Sequence, residues 1–421
     1  MYTTFRAKPK RPDLPELPPE IWLDIFRFAT WPPLDLDPGM TLQFLPTEGR
    51  ERRQLLKQSL VTRRYLVRVC KRWHSMAASF LYESLLIGRG RGLQTVRDVL
   101  KASRVPFQQD APSDENDRPV GWWTKRLDFA MRDVDRLDFD VDVCLTLLSE
   151  IVECLPNLAI LTFCVTAPQL RDVKLPPSFL QTLVRVSGHS LHTIQWNSLA
   201  LVPSRCDWVA FIKEAVNIKA VRRPRFFAKE TDPREQLSSS SLEILLLPRT
   251  PEDPSDFEQA NLPSLRHVVL NALLLQDSRW RFFLEEYGPK LEVVQLIINH
   301  KRLTAFANSK LTSHCPRLVR LDISFSSWEL LMFETQPIAI PPTVQRLGIQ
   351  STRKEATAKG YRALFHGIQT MEIMSLKTIQ FLDIGNVRDL CQRHPLVLSK
   401  GLHMIRTRGL QLLDHEGLAM K

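Results

Sequence analysis

A chain of 421 residues exceeds one ordinary hydrophobic core, and a composition of 44% hydrophobic and 24% charged residues is that of a folded protein, which excludes wholesale disorder. The net charge of +11 is dispersed, with acids interspersed, so a solvated basic surface is expected ahead of a phosphate-binding stripe. Seven cysteines, odd in number, without a CxxC pair or histidines at zinc-ligand spacing, read as reduced, packed thiols, and no metal or cofactor is expected. Residues 1–13 read as a flexible N-terminus: Lys8, Lys10 and Arg11 lie among prolines, with no apolar stretch of a secretory signal. No run approaches the ~18 apolar residues of a membrane span, so the expectation is a cytosolic or nuclear protein without a membrane partner.

From Leu17 the residues LPPEIWLDIFRFATWPP place Pro18, Ile21, Trp22, Ile25, Phe26 and Ala29 at three- and four-residue steps, one face of a helix. Proline suits its first turn and Glu20 the positive end of its dipole, while Pro32 and Pro33 forbid continuation. Residues 32–49, rich in Pro, Asp and Gly, read as a loop, and 51–60 as a short helix. A further amphipathic pattern runs through YLVRVCKRWHSMAASFLY, with Leu66, Val69, Cys70, Trp73, Met76, Ala77, Phe80 and Leu81 in one stripe. So small a unit cannot bury all these apolar side chains by itself, and a partner surface is the natural remedy.

Leu17-Pro18-Pro19-Glu20-Ile21, an apolar helix, then Val69-Cys70-Lys71-Arg72-Trp73 and Leu81-Tyr82-Glu83-Ser84, in that order, resemble the F-box, in the version common in large fungal families. The resemblance covers about 14–87 and departs from a compact F-box by an insert at about 31–62. It implies docking onto a Skp-type adaptor, and through it a cullin ubiquitin ligase, by residues drawn from Leu17, Pro18, Ile21, Ile25, Phe26, Leu66, Val69, Cys70 and Trp73. It implies no catalysis by this chain, only proximity between a target and a ubiquitin-loaded enzyme.

Residues 88–120 read as a connecting helix and polar linker, with Gly88-Arg89-Gly90-Arg91-Gly92 as a flexible joint; the glycine spacing matches neither a P-loop nor a dinucleotide fingerprint. Across 121–390 a phrase recurs: Leu, two residues, apolar, one residue, apolar, with Pro or Ser just before the first Leu. It stands at Leu158, Leu191, Leu242, Leu265, Leu291, Leu318, Val344 and Leu376, with weaker copies at Leu127 and Ile218. Between Leu242 and Val344 it returns about every 23 to 27 residues, the leucine-rich-repeat period. The expected fold class is α/β: a small helical F-box followed by an irregular leucine-rich-repeat solenoid of about nine parallel strands, with 391–421 as a C-terminal cap or tail. Asn299 is the best candidate for the asparagine that usually follows such a strand.

Side chains alternating with the inward Leu positions form the expected target-binding surface: Thr193, Gln195, Asn197, His267, Asn271, Gln295, Arg320, Asp322, Arg346, Gln350 and Gln380. The partner there is an unidentified protein. Two other classes stay open. Arg222, Arg223 and Arg225 suggest a scaffold or nucleic-acid-binding repeat protein, and Gly188-His189-Ser190-Leu191-His192 resembles a nucleophile elbow, except that His192 replaces the second glycine.

Overall fold

The computed structural model describes residues 17–30, 48–104, 118–133, 140–167, 170, 173–198, 200–226, 236–247, 257, 260–276, 281–298, 303–333, 340–353, 356–372 and 374–421. The expected N-terminal tail, most of the insert, the middle of the polar linker and Asn299 lie outside them. The chain divides into two compact units, one of Met1–Pro33 with Arg53–Leu81, the other of Leu34–Arg52 with Tyr82–Lys421.

The first unit is helical. Helix α1 (Pro19–Ala29) opens on a proline with Glu20 in its first turn. Thr30 closes it, donating from Oγ1 to the Phe26 carbonyl at 2.8 Å. Helices α2 (Glu48–Val69) and α3 (Lys71–Tyr82) replace the single helix expected from the continuous stripe, with the break at Cys70. There the Cys70 Sγ accepts from the Trp73 N–H at 3.4 Å, taking the place of a helix-capping oxygen. Ser59 Oγ donates to the Thr30 carbonyl at 2.7 Å, tying α2 to the end of α1, and Arg63 Nη1 donates to the Phe80 carbonyl at 2.6 Å, tying α2 to α3.

The second unit is mixed α/β, built on a twelve-stranded parallel sheet whose strands lie in strict chain order. They are β1 (Ser84–Arg89), β2 (Arg126–Asp133), β3 (Ile160–Phe163), β4 (Thr193–Trp196), β5 (Ala220–Arg222), β6 (Ile244–Leu246), β7 (His267–Asn271), β8 (Val293–Ile298), β9 (Arg320–Phe325), β10 (Arg346–Ser351), β11 (Thr378–Phe381) and β12 (Gln411–Leu413). Each strand pairs with the next, so each chain segment contributes one strand and a return, as expected of a repeat solenoid. The returns begin as helices α4 (Arg91–Ala102), α5 (Val141–Glu153), α6 (Pro177–Ser187) and α7 (Arg205–Glu214). Later ones are less regular: α8 (Arg281–Tyr287), α9 (Leu303–His314), α10 (Ala358–Thr370), α11 (Ile384–Arg393) and α12 (Pro395–Thr407), with single 3-10 turns between.

The recurring phrase maps onto this geometry directly. Its first residue lies in the turn before a strand and is buried in nearly every copy, Leu158, Leu191, Leu265, Leu291, Leu318 and Val344 being 0% exposed. Its second and third residues point to the helical side and stack in register, as at Leu321, Leu347 and Ile379. In the early repeats the third position is aromatic, and Phe163 lies 4.0 Å from Trp196 with their planes 18° apart. The serine before the anchor reaches back one repeat: Ser190 Oγ to the Leu158 carbonyl at 3.0 Å, Ser241 Oγ to Ile218 at 2.9 Å, and Ser264 Oγ to Ser240 at 2.6 Å. Each such bond satisfies a turn carbonyl that the strand ladder cannot reach.

Two sequence expectations are corrected at the ends. The glycine-rich segment is no joint between units: Gly88 and Arg89 end β1, and Arg91 begins α4, so the array starts some forty residues before 121. At the far end β12 extends the sheet, which makes twelve strands where about nine were expected.

Candidate functional site

Two surfaces carry the residues singled out in the sequence. In the helical unit Trp22, Phe26 and Trp73 form an aromatic cluster, Trp73 lying 4.9 Å from each of the other two rings. Phe26 is fully buried in the core between the helices, and Trp73, half-buried, packs against it and keeps part of its surface outside. Leu66 is also half-buried. With that core spent inside, the rest of the expected set stays outside: Leu17 at 37%, Ile21 at 45%, Ile25 at 41% and Val69 at 58% exposure, together with Pro18 and Cys70. Ile21 and Ile25 are four residues apart and share one helix face. The sequence pattern overlooked Phe28 (84%) and Tyr65 (68%), which are more exposed than Leu17, Ile21, Ile25 or Val69. Both fall outside the regular apolar stripe, and that displacement was the available signal.

On the strand array, Thr193, Gln195, His267, Asn271, Gln295, Arg320, Asp322, Arg346, Gln350 and Gln380 project from the sheet face opposite the helices, and Asn197 follows β4. This face is not openly solvated. Thr193, Gln195, Asn271, Gln295, Asp322 and Gln350 are all at least nine-tenths buried. Parallel strands ~4.8 Å apart place each side chain between two neighbours in the same row, and the rows cover one another. Only Asn197 and Arg346 are exposed; His267, Arg320 and Gln380 are half-buried.

Two arginines on this face each pair with an aspartate two residues along the same strand. Arg126 grips Asp128 with Nε at 2.7 Å and Nη2 at 2.9 Å, and Arg320 Nε donates to Asp322 at 2.9 Å. Burial raises the Asp322 carboxyl, and Arg320 opposes that rise. A Cβ on Gly348 would fall 2.1 Å from Asp322 Oδ1, so this glycine leaves the room the carboxylate fills. Burial, helped by the charge of Arg320, lowers the His267 imidazole to about 4. Midway along the face the rows turn apolar, with Ala220, Ile244, Leu246, Val269 and Ile297 packed as a separate cluster.

Ser190 is a turn residue: its hydroxyl lies 3.0–3.1 Å from the Pro156, Leu158 and Ser187 carbonyls, which occupies its proton structurally. Arg222 bonds Asn197, Arg223 is buried against Phe226 and Phe257, and Arg225 is exposed, so the three arginines do not form one patch. Burial raises the Cys144 and Cys315 thiols to about 12. Among the described residues no group of three or more His, Cys, Asp or Glu could hold a metal ion, and no helix is long and apolar enough to cross a membrane.

No family model matches this chain, and no curated protein matches it. Among solved structures it is similar to a chain in the crystal structure of the Rad7 and Elc1 complex in yeast, with 12% sequence identity over 74% of this chain and 89% of that one, at a TM-score of 0.27. A superposition that loose does not fix the arrangement of the elements described above.

Proposed function

We propose that this protein is a non-enzymatic F-box adaptor, whose helical unit docks onto a Skp-type linker and whose leucine-rich-repeat array holds a protein target for a cullin ubiquitin ligase. The observation that carries the reading is the exposure of Leu17, Ile21, Ile25 and Val69 on a unit whose aromatic core is already complete. Apolar side chains left out of so small a core favour a partner surface. The resemblance of the segments from Leu17 to Trp73 to an F-box supports a Skp-type partner for that surface. In this reading the parallel array of twelve strands supplies the surface for the target, and linking target and adaptor through one chain makes transfer effectively intramolecular.

The nucleic-acid reading is disfavoured by the separation of Arg222, Arg223 and Arg225, and the enzyme reading by the bonds of Ser190. Affinity capture with the proteasome blocked tests the proposal. The intact chain recovers a Skp-type adaptor, whereas Ile25→Asp combined with Val69→Asp recovers none; both sites are exposed, so the fold is retained. Failure of the intact chain to recover any such adaptor overturns the reading.

A further inference from the structure

On the sheet face opposite the helices, β9 and β10 combine two unfavourable arrangements. Arg320 and Arg346 stand directly opposite each other in the ladder, an arrangement that is unfavourable for like charges. Asp322 neutralises Arg320, but Arg346 is exposed and makes no ion pair among the described residues. Further along the same strands, Gln350 stands opposite Ser324, and both are buried, at 2% and 0% exposure. The Gln350 Nε2 and Ser324 Oγ atoms nevertheless have no hydrogen-bond partner. A buried polar group left unsatisfied is costly; Ser84 Oγ and Thr162 Oγ1 share that condition on the same face, but only at β9 and β10 does it coincide with opposed arginines, and that coincidence points to a use outside the fold itself.

We propose that this face of β9 and β10 seats an acidic segment of the target protein, with carboxylates on Arg346 and Arg320 and acceptor oxygens against Gln350 Nε2 and Ser324 Oγ. The proposal rests on the adaptor reading and names the chemistry of its target. Charge complementarity selects the occupant: with Asp322 held by Arg320, the net charge of the four groups other than the amide is positive. Arg346 and Gln350 are four residues apart along β10, roughly 13 Å, which an extended segment of about four or five residues spans. The charged end is open in this state. The polar end is closed to water, so side chains around Ser324 and Gln350 must give way as the segment enters.

The test is fluorescence anisotropy of a labelled glutamate–serine repeat peptide titrated with the full chain, with a lysine–serine peptide as control. Arg346→Glu is expected to weaken binding by about tenfold or more without lowering the thermal midpoint, since it removes a like-charge pair. Arg362→Glu, the same charge change on the exposed face of α10, is expected to alter binding less than about twofold. Gln350→Leu is expected to weaken binding while the midpoint holds or rises, because it deletes an unsatisfied donor. Equal losses at Arg346 and Arg362 would reduce the effect to the overall charge and overturn the proposal. So would unchanged binding in Arg346→Glu, or displacement by oligothymidylate with the same dependence on Arg346. Capture of the Skp-type adaptor is read in parallel: every variant should retain it, and its absence from the intact chain strikes the adaptor reading alone.

Discussion

The Tyr361 hydroxyl donates to the Asp389 carboxylate at 3.1 Å and lies 3.0 Å from the Asn386 carbonyl, joining α10 to α11 inside the last repeats. The same carboxylate accepts the Ala356 N–H at 3.2 Å, and Asn386 Oδ1 accepts the Ser351 N–H at 2.7 Å, so the network also holds the end of β10. Burial and the adjacent Asp389 both raise the Tyr361 phenol, which remains a neutral donor across the working range. Tyr361→Phe is expected to cost about 1–2 kcal/mol, measured by urea unfolding, with adaptor capture unchanged.

Gly401 makes close packing possible between α12 and α10. A Cβ there would come within 2.4 Å of the Phe365 ring, which is itself buried. Gly401→Ala is therefore expected to destabilise by about 1–3 kcal/mol despite alanine's better helix propensity. The double change Gly401→Ala with Phe365→Leu should recover part of that loss in the same unfolding assay.

His267 gives the array an acid sensitivity of known sign. Its folded-state imidazole titrates near 4, below the unfolded value of 6.5. The stability it contributes is present above 6.5 and is lost as pH falls through 4, because the unfolded chain takes up the proton first. The loss is on the order of 2 kcal/mol. His267→Gln should flatten the dependence of the denaturation midpoint between these two values, compared with the unsubstituted chain.

Ser190 tests whether the near-match to a nucleophile elbow has chemical content. Its hydroxyl serves turn carbonyls as Ser241 and Ser264 do in later repeats. Ser190→Ala is expected to cost about 1 kcal/mol in unfolding experiments, and a serine-directed covalent probe should leave Ser190 unlabelled in the native chain.

The repeat was legible because its anchor residues answer to burial alone: Leu291 or Leu318 has no other reason to precede an alternating apolar pair, and both are fully buried. The end strands escaped notice because their anchors differ. Before β1 the anchor position is Tyr82, and β12 keeps only Leu412 of the phrase, with Gly409 at the anchor and Asp414 at the third position. In the helical unit, periodicity carried the stripe of Leu66, Val69 and Trp73 straight across the break at Cys70, since three- and four-residue steps survive a one-residue interruption. On the sheet, alternation told which way Gln295 and Gln350 point; their burial depends on rows supplied by strands distant in sequence, which no local pattern encodes.

The most direct measurement is a calorimetric titration of the purified full chain with a purified Skp-type adaptor, repeated with Ile25→Asp and with Val69→Asp. Binding at about micromolar Kd or tighter, weakened by at least about tenfold in each variant while the unfolding midpoint is unchanged, is the expected result. No measurable heat with the intact chain, or equal affinity in all three proteins, would contradict adaptor docking by the exposed face of α1 and α2.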